Sequence, residues 1–271
     1  MGLNVEYAVK YMFKDQQWKK KFLIGCFFMI GMVILEILSN LANFFSDLKY
    51  EQLKPYVHLF PTLLIVFCVL FLISLVLGVF SSGYFAKNIN LRIFKPESDL
   101  LEWNNWKDIF LVGLKSNIAY LIYFIILFFI LLIPVILLFI LIFILSAVGL
   151  GKISVVIGTI FGVILALILM IIFAFYLAAA SLAFCTDLKF ASFFNFSLIK
   201  KFITKKFFDY FIYLLLLFAV STLVNIVNSI LMITIVGILL MPFTLFYQFL
   251  VQNELAAQFV RNTLDLPVNQ E

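Results

Sequence analysis

A short row of polar side chains inside an apolar segment is the part of this sequence closest to chemistry. Glu36, Asn40 and Asn43 follow one another at i, i+4 and i+7, so a helix places them on one face. A later apolar segment carries Asn225 and Asn228 at a similar depth. An ionisable side chain costs ~2.5–3.5 kcal/mol at the centre of a membrane helix and normally faces a partner inside the bundle. The spacing therefore predicts a polar site that joins Glu36 to one of the two later asparagines.

This polar row has two interpretations. In the first, Glu36 and the asparagines form a binding site for a substrate or an ion. In the second, Glu36 is protonated or wet near the outer interface, and the asparagines tie helices together through polar bonds worth roughly 0.6–2 kcal/mol each. The spacing leaves both interpretations open.

The rest of the sequence lacks the residue sets that catalysis or metal binding requires. The one histidine, His58, cannot complete a Ser-His-Asp set with buried partners, and there is no glycine-rich phosphate loop. Cys26, Cys68 and Cys185 are too widely spaced for a zinc motif. We therefore expect no catalytic residue, no cofactor and no metal ion, and we predict that the protein is not an enzyme.

The elements that would position the polar row are membrane-spanning helices. Of 271 residues, 65% are hydrophobic and 12% charged, and the mean hydropathy is +1.18, as is typical of polytopic membrane proteins. Between Ser116 and Thr186 the only charged residue is Lys152, although about 20 apolar residues suffice for one crossing. We predict an all-α bundle that forms a single transmembrane domain. Its six spans lie at about 22–45, 61–86, 116–147, 153–184, 208–232 and 234–260.

The basic residues predict how these spans are oriented. Sixteen of the 19 lysines and arginines lie in the N-terminal segment, two loops (87–115 and 185–207) or the C-terminus, and the other three are Lys49, Lys54 and Lys152. Basic loops are retained on the cytoplasmic side of membranes. Both termini of a multi-pass cell-membrane protein are therefore predicted to be cytoplasmic, as an even number of spans also requires.

The same basic segments are candidates for contact with anionic lipid headgroups. One reading is a topology signal with snorkelling lysines, and the other is headgroup recognition worth about 1 kcal/mol per basic residue. The net charge of +5 does not predict nucleic acid binding, because no basic cluster lies in a segment long enough to fold as a soluble domain. The candidate lipid contacts are Lys19, Lys20, Lys21, Lys200, Lys201, Lys205 and Lys206, and the candidate interfacial anchors are Trp18, Trp103 and Trp106.

Each basic segment is predicted to form an amphipathic interfacial helix that leads into a helical hairpin. In the second segment, Trp103, Trp106 and Phe110 follow three- and four-residue spacing, and in the third, aromatic and apolar residues step by four from 190 to 202. The chain therefore reads as three copies of an interfacial helix followed by a hairpin.

Two patterns in the later spans concern packing. Gly158-x-x-x-Gly162 permits close approach of another helix and favours packing within the monomer, with self-association as the alternative. Gln248, Gln252 and Glu254 lie toward the inner end of the last span, where we expect them to face headgroups.

Two of the basic segments resemble a known family. They are FKDQQWKKK at 13–21, followed by Ile24-Gly25, and LEWNNWKDIFLVG at 101–113. They resemble an uncharacterised family of polytopic membrane proteins from archaea and bacteria that has a Pro-Glu-Trp-x-x-Trp loop, with Leu101 in place of the proline. The chain is also distantly similar to the membrane portion of some glycerophosphodiester phosphodiesterases, but their catalytic domain is absent. The resemblance implies the fold and no activity.

These observations lead to two hypotheses about function. The first is non-enzymatic handling or transport of a lipid, another amphiphile or a small solute through the region of Glu36 and Asn225. The alternative is a scaffold or accessory subunit whose basic cytoplasmic face recruits a partner. Expected partners are membrane lipids with anionic headgroups, and a protein partner or a second copy of the chain is possible. A cavity near Glu36 would favour the first hypothesis, and a solidly packed bundle would favour the second.

Overall fold

The protein is all-helical, with no β-strand, over the part of the chain that the computed structural model describes, residues 2–48, 58–147 and 151–266. Short 3₁₀ turns at Tyr11–Lys14 and Phe190–Phe194 precede the second and sixth helices. The helices in chain order are α1 (Val5–Lys10), α2 (Trp18–Asp47), α3 (Phe60–Phe94), α4 (Trp106–Ala147), α5 (Gly151–Asp187), α6 (Phe196–Thr204), α7 (Phe207–Leu231) and α8 (Ile235–Leu264).

Six of these helices, α2 to α5 together with α7 and α8, are long and apolar enough to cross a membrane. The all-α fold with six spans is therefore confirmed. Several helices run past the predicted ends, because a helix does not have to stop where its apolar run stops. For example, α2 begins at Trp18 and α8 ends at Leu264. Lys49, Lys54 and residues 148–150, which lie between α4 and α5, are outside the described residues.

The chain divides into two compact units. The four-helix unit, named for its four long helices α2, α3, α7 and α8, comprises Met1–Lys115 and Lys206–Glu271 and also contains α1 and the first turns of α4. The hairpin unit is Ser116–Lys205 and contains the rest of α4, α5 and α6.

Small residues allow the helices of the four-helix unit to approach closely. A Cβ atom at Gly25 would lie 2.1 Å from a ring carbon of Phe246, so the glycine makes room for that ring between α2 and α8. Where α3 meets the start of α4, a Cβ atom at Gly83 would lie 1.9 Å from the carbonyl oxygen of Ile109, and one at Gly113 would lie 1.8 Å from that of Val79. This backbone contact fixes both ends of the 95–105 segment that joins α3 to α4.

The hairpin unit is held by packing and by tyrosine hydroxyl groups. Gly158 and Gly162 of α5 both face Leu138 of α4, which agrees with packing inside the monomer. The Tyr120 hydroxyl lies 2.7 Å from that of Ser181, and the Tyr123 hydroxyl donates a hydrogen bond to the carbonyl oxygen of Phe193. These neutral bonds suit a unit with almost no charge in its long helices.

The three predicted interfacial helices take three different forms. The first segment is split into α1 and a 3₁₀ turn. The second contains no helix between the end of α3 at Phe94 and the start of α4 at Trp106, so the predicted interfacial helix that includes Trp103 is wrong. The third breaks at Asn195, whose side chain accepts a hydrogen bond from the Leu198 amide (3.1 Å) and begins α6. Periodicity failed in the second segment because Trp103 is buried by tertiary contacts of a non-helical stretch, whereas Trp106 is exposed at the start of α4.

Candidate functional site

The predicted intramembrane site is not assembled. Glu36, Asn40, Asn43 and Asn225 are exposed, and Glu36 makes no hydrogen bond or ion pair with any described residue. Asn228 is buried on α7 instead. The correct helical spacing on α2 produced a shared face, but that face points away from the packed side of the helix.

Asn228 belongs to a polar seam between α7 and α8. Its side-chain oxygen accepts a hydrogen bond from the Thr244 hydroxyl at 2.5 Å. Further along, the amide nitrogens of Gln248 and Gln252 donate to the Ser221 hydroxyl at 3.1 and 2.8 Å. Bonds of this kind are worth about 0.6–2 kcal/mol in membranes and hold helices together. The two glutamines therefore bind α7 instead of facing headgroups as expected.

A buried charged cluster lies at the end of the four-helix unit that carries the basic segments. Glu254 is 0% exposed and accepts a hydrogen bond from Arg92 Nε at 2.7 Å, which pairs it with the fully buried Arg92. Its other oxygen accepts bonds from Arg261 Nη2 at 3.2 Å and from Gln258 Nε2 at 3.1 Å. We call Arg92, Glu254 and Arg261 the arginine centre. The expectation that Glu254 faces headgroups is wrong, because the carboxylate is enclosed by two guanidinium groups.

The arginine centre fastens distant segments to one another. Arg92 donates to the carbonyl oxygen of Ser98 at 2.7 Å and to the Tyr7 hydroxyl at 2.9 Å, and Arg261 donates to the carbonyl oxygen of Arg92. The Arg92 guanidinium also lies 4.7 Å from the ring centroid of Tyr11. Burial raises the pKa of the Tyr11 hydroxyl above its ordinary range, so it stays neutral beside these charges.

A polar pocket of about 220 Å³ adjoins the arginine centre. The N-terminal segment forms one wall, because the backbone N–H of Asn4 donates to Gln258 Oε1 at 2.7 Å and the Gln258 amide donates to the carbonyl oxygen of Asn4 at 3.3 Å. The lining residues are Gly2, Asn4, Tyr7, Pro96, Glu97, Gln258, Arg261 and Asn262.

A second buried charge lies at the start of α2. Lys21 is 3% exposed, and its ammonium group lies 2.8 Å from Asp15 Oδ2, 2.7 Å from Glu102 Oε1 and 2.8 Å from the carbonyl oxygen of Leu100. The expected contact of Lys21 with lipid is therefore wrong, since the protein itself surrounds the charge. Asp15 accepts the backbone N–H of Leu100 as well (3.1 Å), so both members of the pair hold the 95–105 segment.

Trp103 is part of the core rather than an exposed anchor. It is 7% exposed and stacks on Tyr84 with ring centroids 3.9 Å apart and on Phe28 at 5.0 Å. Its indole N–H donates to the carbonyl oxygen of Lys21 at 3.0 Å. An exposed anchoring role for Trp103 is thus wrong, whereas Trp106 is 41% exposed and Trp18 is half-buried.

The remaining candidate lysines differ in exposure. Lys19, Lys20, Lys200, Lys201 and Lys205 are exposed. Lys206 is half-buried, and its ammonium group donates to the carbonyl oxygen of Asn262 at 2.7 Å. Lys206 therefore joins the start of α7 to the end of α8, which makes it a structural residue.

An apolar groove of about 380 Å³ runs between α2 and α8. We call it the α2–α8 groove. On α2 the lining residues follow the helix repeat over about four turns, so the groove extends along the helix axis. A second apolar groove of about 350 Å³ between α2 and α3 begins at Leu38, and neither groove is lined by Glu36. The α2–α8 groove is lined by Leu23, Cys26, Phe27, Ile30, Val33, Ile34, Ile37, Ile238, Leu239, Pro242 and Phe243.

Sequence reasoning missed the arginine centre, although the sequence contains a signal for it. Of the 19 basic residues only Arg92 and Arg261 are arginines, and both bind Glu254. Arginine suits buried carboxylate pairing because its planar guanidinium presents several donors in fixed directions. Within the described ranges, no three His, Cys, Asp or Glu side chains lie close enough to hold a metal ion.

Comparison with known proteins adds a family and no activity. A family model described as a protein of unknown function (DUF4013) matches residues 66–241. No curated protein and no solved structure matches the chain. The resemblance of the 101–106 segment to a Pro-Glu-Trp-x-x-Trp loop stays a prediction, as does the distant similarity to the membrane portion of some glycerophosphodiester phosphodiesterases.

Proposed function

The chain belongs to the DUF4013 family of proteins of unknown function, and from that premise we propose that this multi-pass membrane protein binds an anionic lipid. One acyl chain occupies the α2–α8 groove, and the lipid phosphate lies against Lys19 and Lys20. The protein holds its lipid without chemical turnover. The end of the four-helix unit that bears these lysines faces the cytoplasm.

The observation that carries this proposal is a single stripe along α2. Lys19, Leu23, Phe27, Ile30 and Ile34 succeed one another at steps of four, four, three and four, so they lie on one helix face. The apolar members line the groove, and the exposed lysine stands one turn before them. A surface that changes from apolar to cationic at one end matches an acyl chain with an anionic headgroup.

The size and chemistry of the groove agree with this ligand. Its volume of about 380 Å³ falls within the ~300–1,000 Å³ range of small-molecule sites. Leu23 and Phe27 are each 58% exposed beside it, so the groove opens sideways where lipid would enter. Each surface lysine near an anionic headgroup is worth about 1 kcal/mol, so Lys19 and Lys20 together favour anionic over neutral lipid by roughly tenfold or more.

Native mass spectrometry of the protein released from its own membrane tests the proposal. We expect a retained anionic lipid in the unaltered protein and its loss in Ile30→Trp, which fills the groove. Met32→Trp is the matched control, because Met32 is 38% exposed against 39% for Ile30, lies on the same helix and does not line the groove. Equal lipid retention by the two variants would remove the acyl-chain site.

The headgroup position has its own test. We expect the double variant Lys19→Gln with Lys20→Gln to retain neutral lipid in place of anionic lipid. The charge-matched control replaces Lys107 and Lys115, which are also exposed, and should retain the anionic lipid. A chemically altered lipid released from the protein would contradict the absence of turnover.

Recruitment of a partner is a second candidate function, favoured by α6. This helix buries Ile199 and Phe202 but leaves Lys200, Lys201 and the 71%-exposed ring of Phe196 uncovered. A protein that leaves the membrane in fixed stoichiometry with the chain, and is lost when Lys200 and Lys201 become glutamine, would support it. A chain that carries lipid alone would argue against it.

A further inference from the structure

We infer that the polar pocket beside the arginine centre is a binding site for a phosphate group. This site lies apart from the α2–α8 groove, and the two share no lining residue. The phosphate belongs either to a water-soluble phosphate ester or to a lipid headgroup, since both present the same oxyanion.

The charge of the arginine centre is the first reason. Two buried arginines share one buried carboxylate, because Arg92 is 1%, Arg261 8% and Glu254 0% exposed. Among the described residues the cluster therefore keeps one positive charge in surroundings with little water. A buried charge without a counter-ion is costly, and an anion bound in the adjoining pocket would balance it.

The free donors of Arg261 are the second reason. Arg261 lines the pocket and uses Nη2 toward Glu254 and Nη1 toward the carbonyl oxygen of Arg92. Its Nε–H and the second hydrogens on both terminal nitrogens make no hydrogen bond to any described residue. A guanidinium with several unused donors in a fixed plane binds phosphate or carboxylate through paired hydrogen bonds.

Size and neighbouring charge decide which anion fits. The pocket volume of about 220 Å³ admits a phosphate group with a small substituent and lies below the usual range for drug-sized ligands. One acidic residue, Glu97, also lines the pocket, and it lies 3.6 Å from the ammonium group of Lys14. Lys14 thus offsets Glu97, and a dianionic phosphate gains more than a monoanionic carboxylate from the remaining positive charge.

Thermal unfolding of the full-length protein in detergent tests the inference with inorganic phosphate as the probe. We expect phosphate to raise the Tm in a concentration-dependent way, while chloride at the same ionic strength does not. Arg261→Lys keeps the charge but loses the paired donors, and we expect it to lose the response to phosphate. If phosphate raises the Tm of the unaltered protein neither in detergent nor in nanodiscs, the inferred phosphate site is overturned.

A pair of exposed variants guards against misfolding of the arginine variant. Glu97→Gln removes a negative charge that repels phosphate from the pocket, and it should tighten phosphate binding at least about threefold. Glu6→Gln is the matched control, because Glu6 is also exposed and paired with a lysine but does not line the pocket. Equal changes in both variants would assign the effect to net charge and overturn the inference.

Nanodiscs distinguish the two sources of phosphate. If lipid supplies the group, nanodiscs with phosphatidic acid stabilise the protein over phosphatidylcholine nanodiscs, and Glu97→Gln increases that difference. If a soluble ester supplies it, free phosphate stabilises the protein equally in both. Lys19 and Lys20 lie outside this pocket. Stabilisation by lipid bound at the α2–α8 groove should therefore not change in Glu97→Gln, which distinguishes it from stabilisation by lipid phosphate bound in the pocket.

Discussion

The two charged side chains Lys21 and Glu36 lie on the same helix, yet their environments are opposite. Lys21 is buried and surrounded by two carboxylates and a carbonyl oxygen, and Glu36 is exposed without a described partner. Hydropathy singles out Glu36, because it interrupts an apolar run, and treats Lys21 as one of several terminal lysines. The comparison teaches that burial of charge depends on what other segments bring to the helix.

Other segments supply such partners to Lys21, whereas no described residue pairs with Glu36. Asp15 comes from the turn before α2, and Glu102 and the Leu100 carbonyl come from the 95–105 segment. The arginine centre holds the same segment, since Arg92 donates to the carbonyl oxygen of Ser98. The basic end of the four-helix unit is therefore a connected polar core, whereas the other end of α2 is bordered by an apolar groove.

The largest loss of stability is expected when the polar core at the basic end of the four-helix unit loses the carboxylate that the two arginines share. Glu254→Gln leaves Arg92 and Arg261 buried without a counter-charge, and we expect the free energy of unfolding to fall by about 3–5 kcal/mol. Reversible denaturation in mixed micelles measures it. Glu6→Gln, at an exposed pair, should leave the free energy of unfolding nearly unchanged. A loss as small as that for Glu254→Gln would mean that the centre does not organise the unit.

Removing the ammonium group at the start of α2 should have the next largest effect. Lys21→Met leaves the buried Asp15 carboxylate with one partner fewer, and we expect a loss of about 1–3 kcal/mol. Lys20→Met is the control on the next residue, because Lys20 is exposed. Similar melting curves for the two variants would contradict the difference between a paired and a solvated lysine.

A substitution where α3 crosses α4 should lower the free energy of unfolding about as much as a substitution in the core, because this crossing fixes the ends of the 95–105 segment. Gly83→Ala places a Cβ atom against the Ile109 carbonyl, and overpacking of this kind costs about 1–3 kcal/mol. Gly78→Ala on the same helix meets no atom within 4 Å and should be neutral or slightly stabilising. Thermal unfolding of the two variants checks the difference.

The spans were predictable and the charged core was not, for one physical reason. A helix must be apolar over about 20 residues to cross a membrane, and that requirement is local in sequence. By contrast, Arg92 and Glu254 are 162 residues apart, and the stacking of Trp103 on Tyr84 depends on how a non-helical segment folds back. Helical periodicity also placed Glu36, Asn40 and Asn43 on one face correctly, but it carries no information on which face another helix covers.

Glu36→Gln should have the smallest effect and is the sharpest test of the comparison. Because Glu36 is exposed and unpaired among the described residues, we expect the free energy of unfolding to change by less than about 0.5 kcal/mol. Lipid retention should also persist, since Glu36 lines neither apolar groove. A large loss of stability would assign Glu36 a partner from a second copy of the chain or another membrane protein. An unchanged stability with altered retention of a solute would restore the intramembrane site that the spacing of α2 predicts. Either outcome would make the charge at this end of α2 depend on another molecule, just as Lys21 depends on other segments of its own chain.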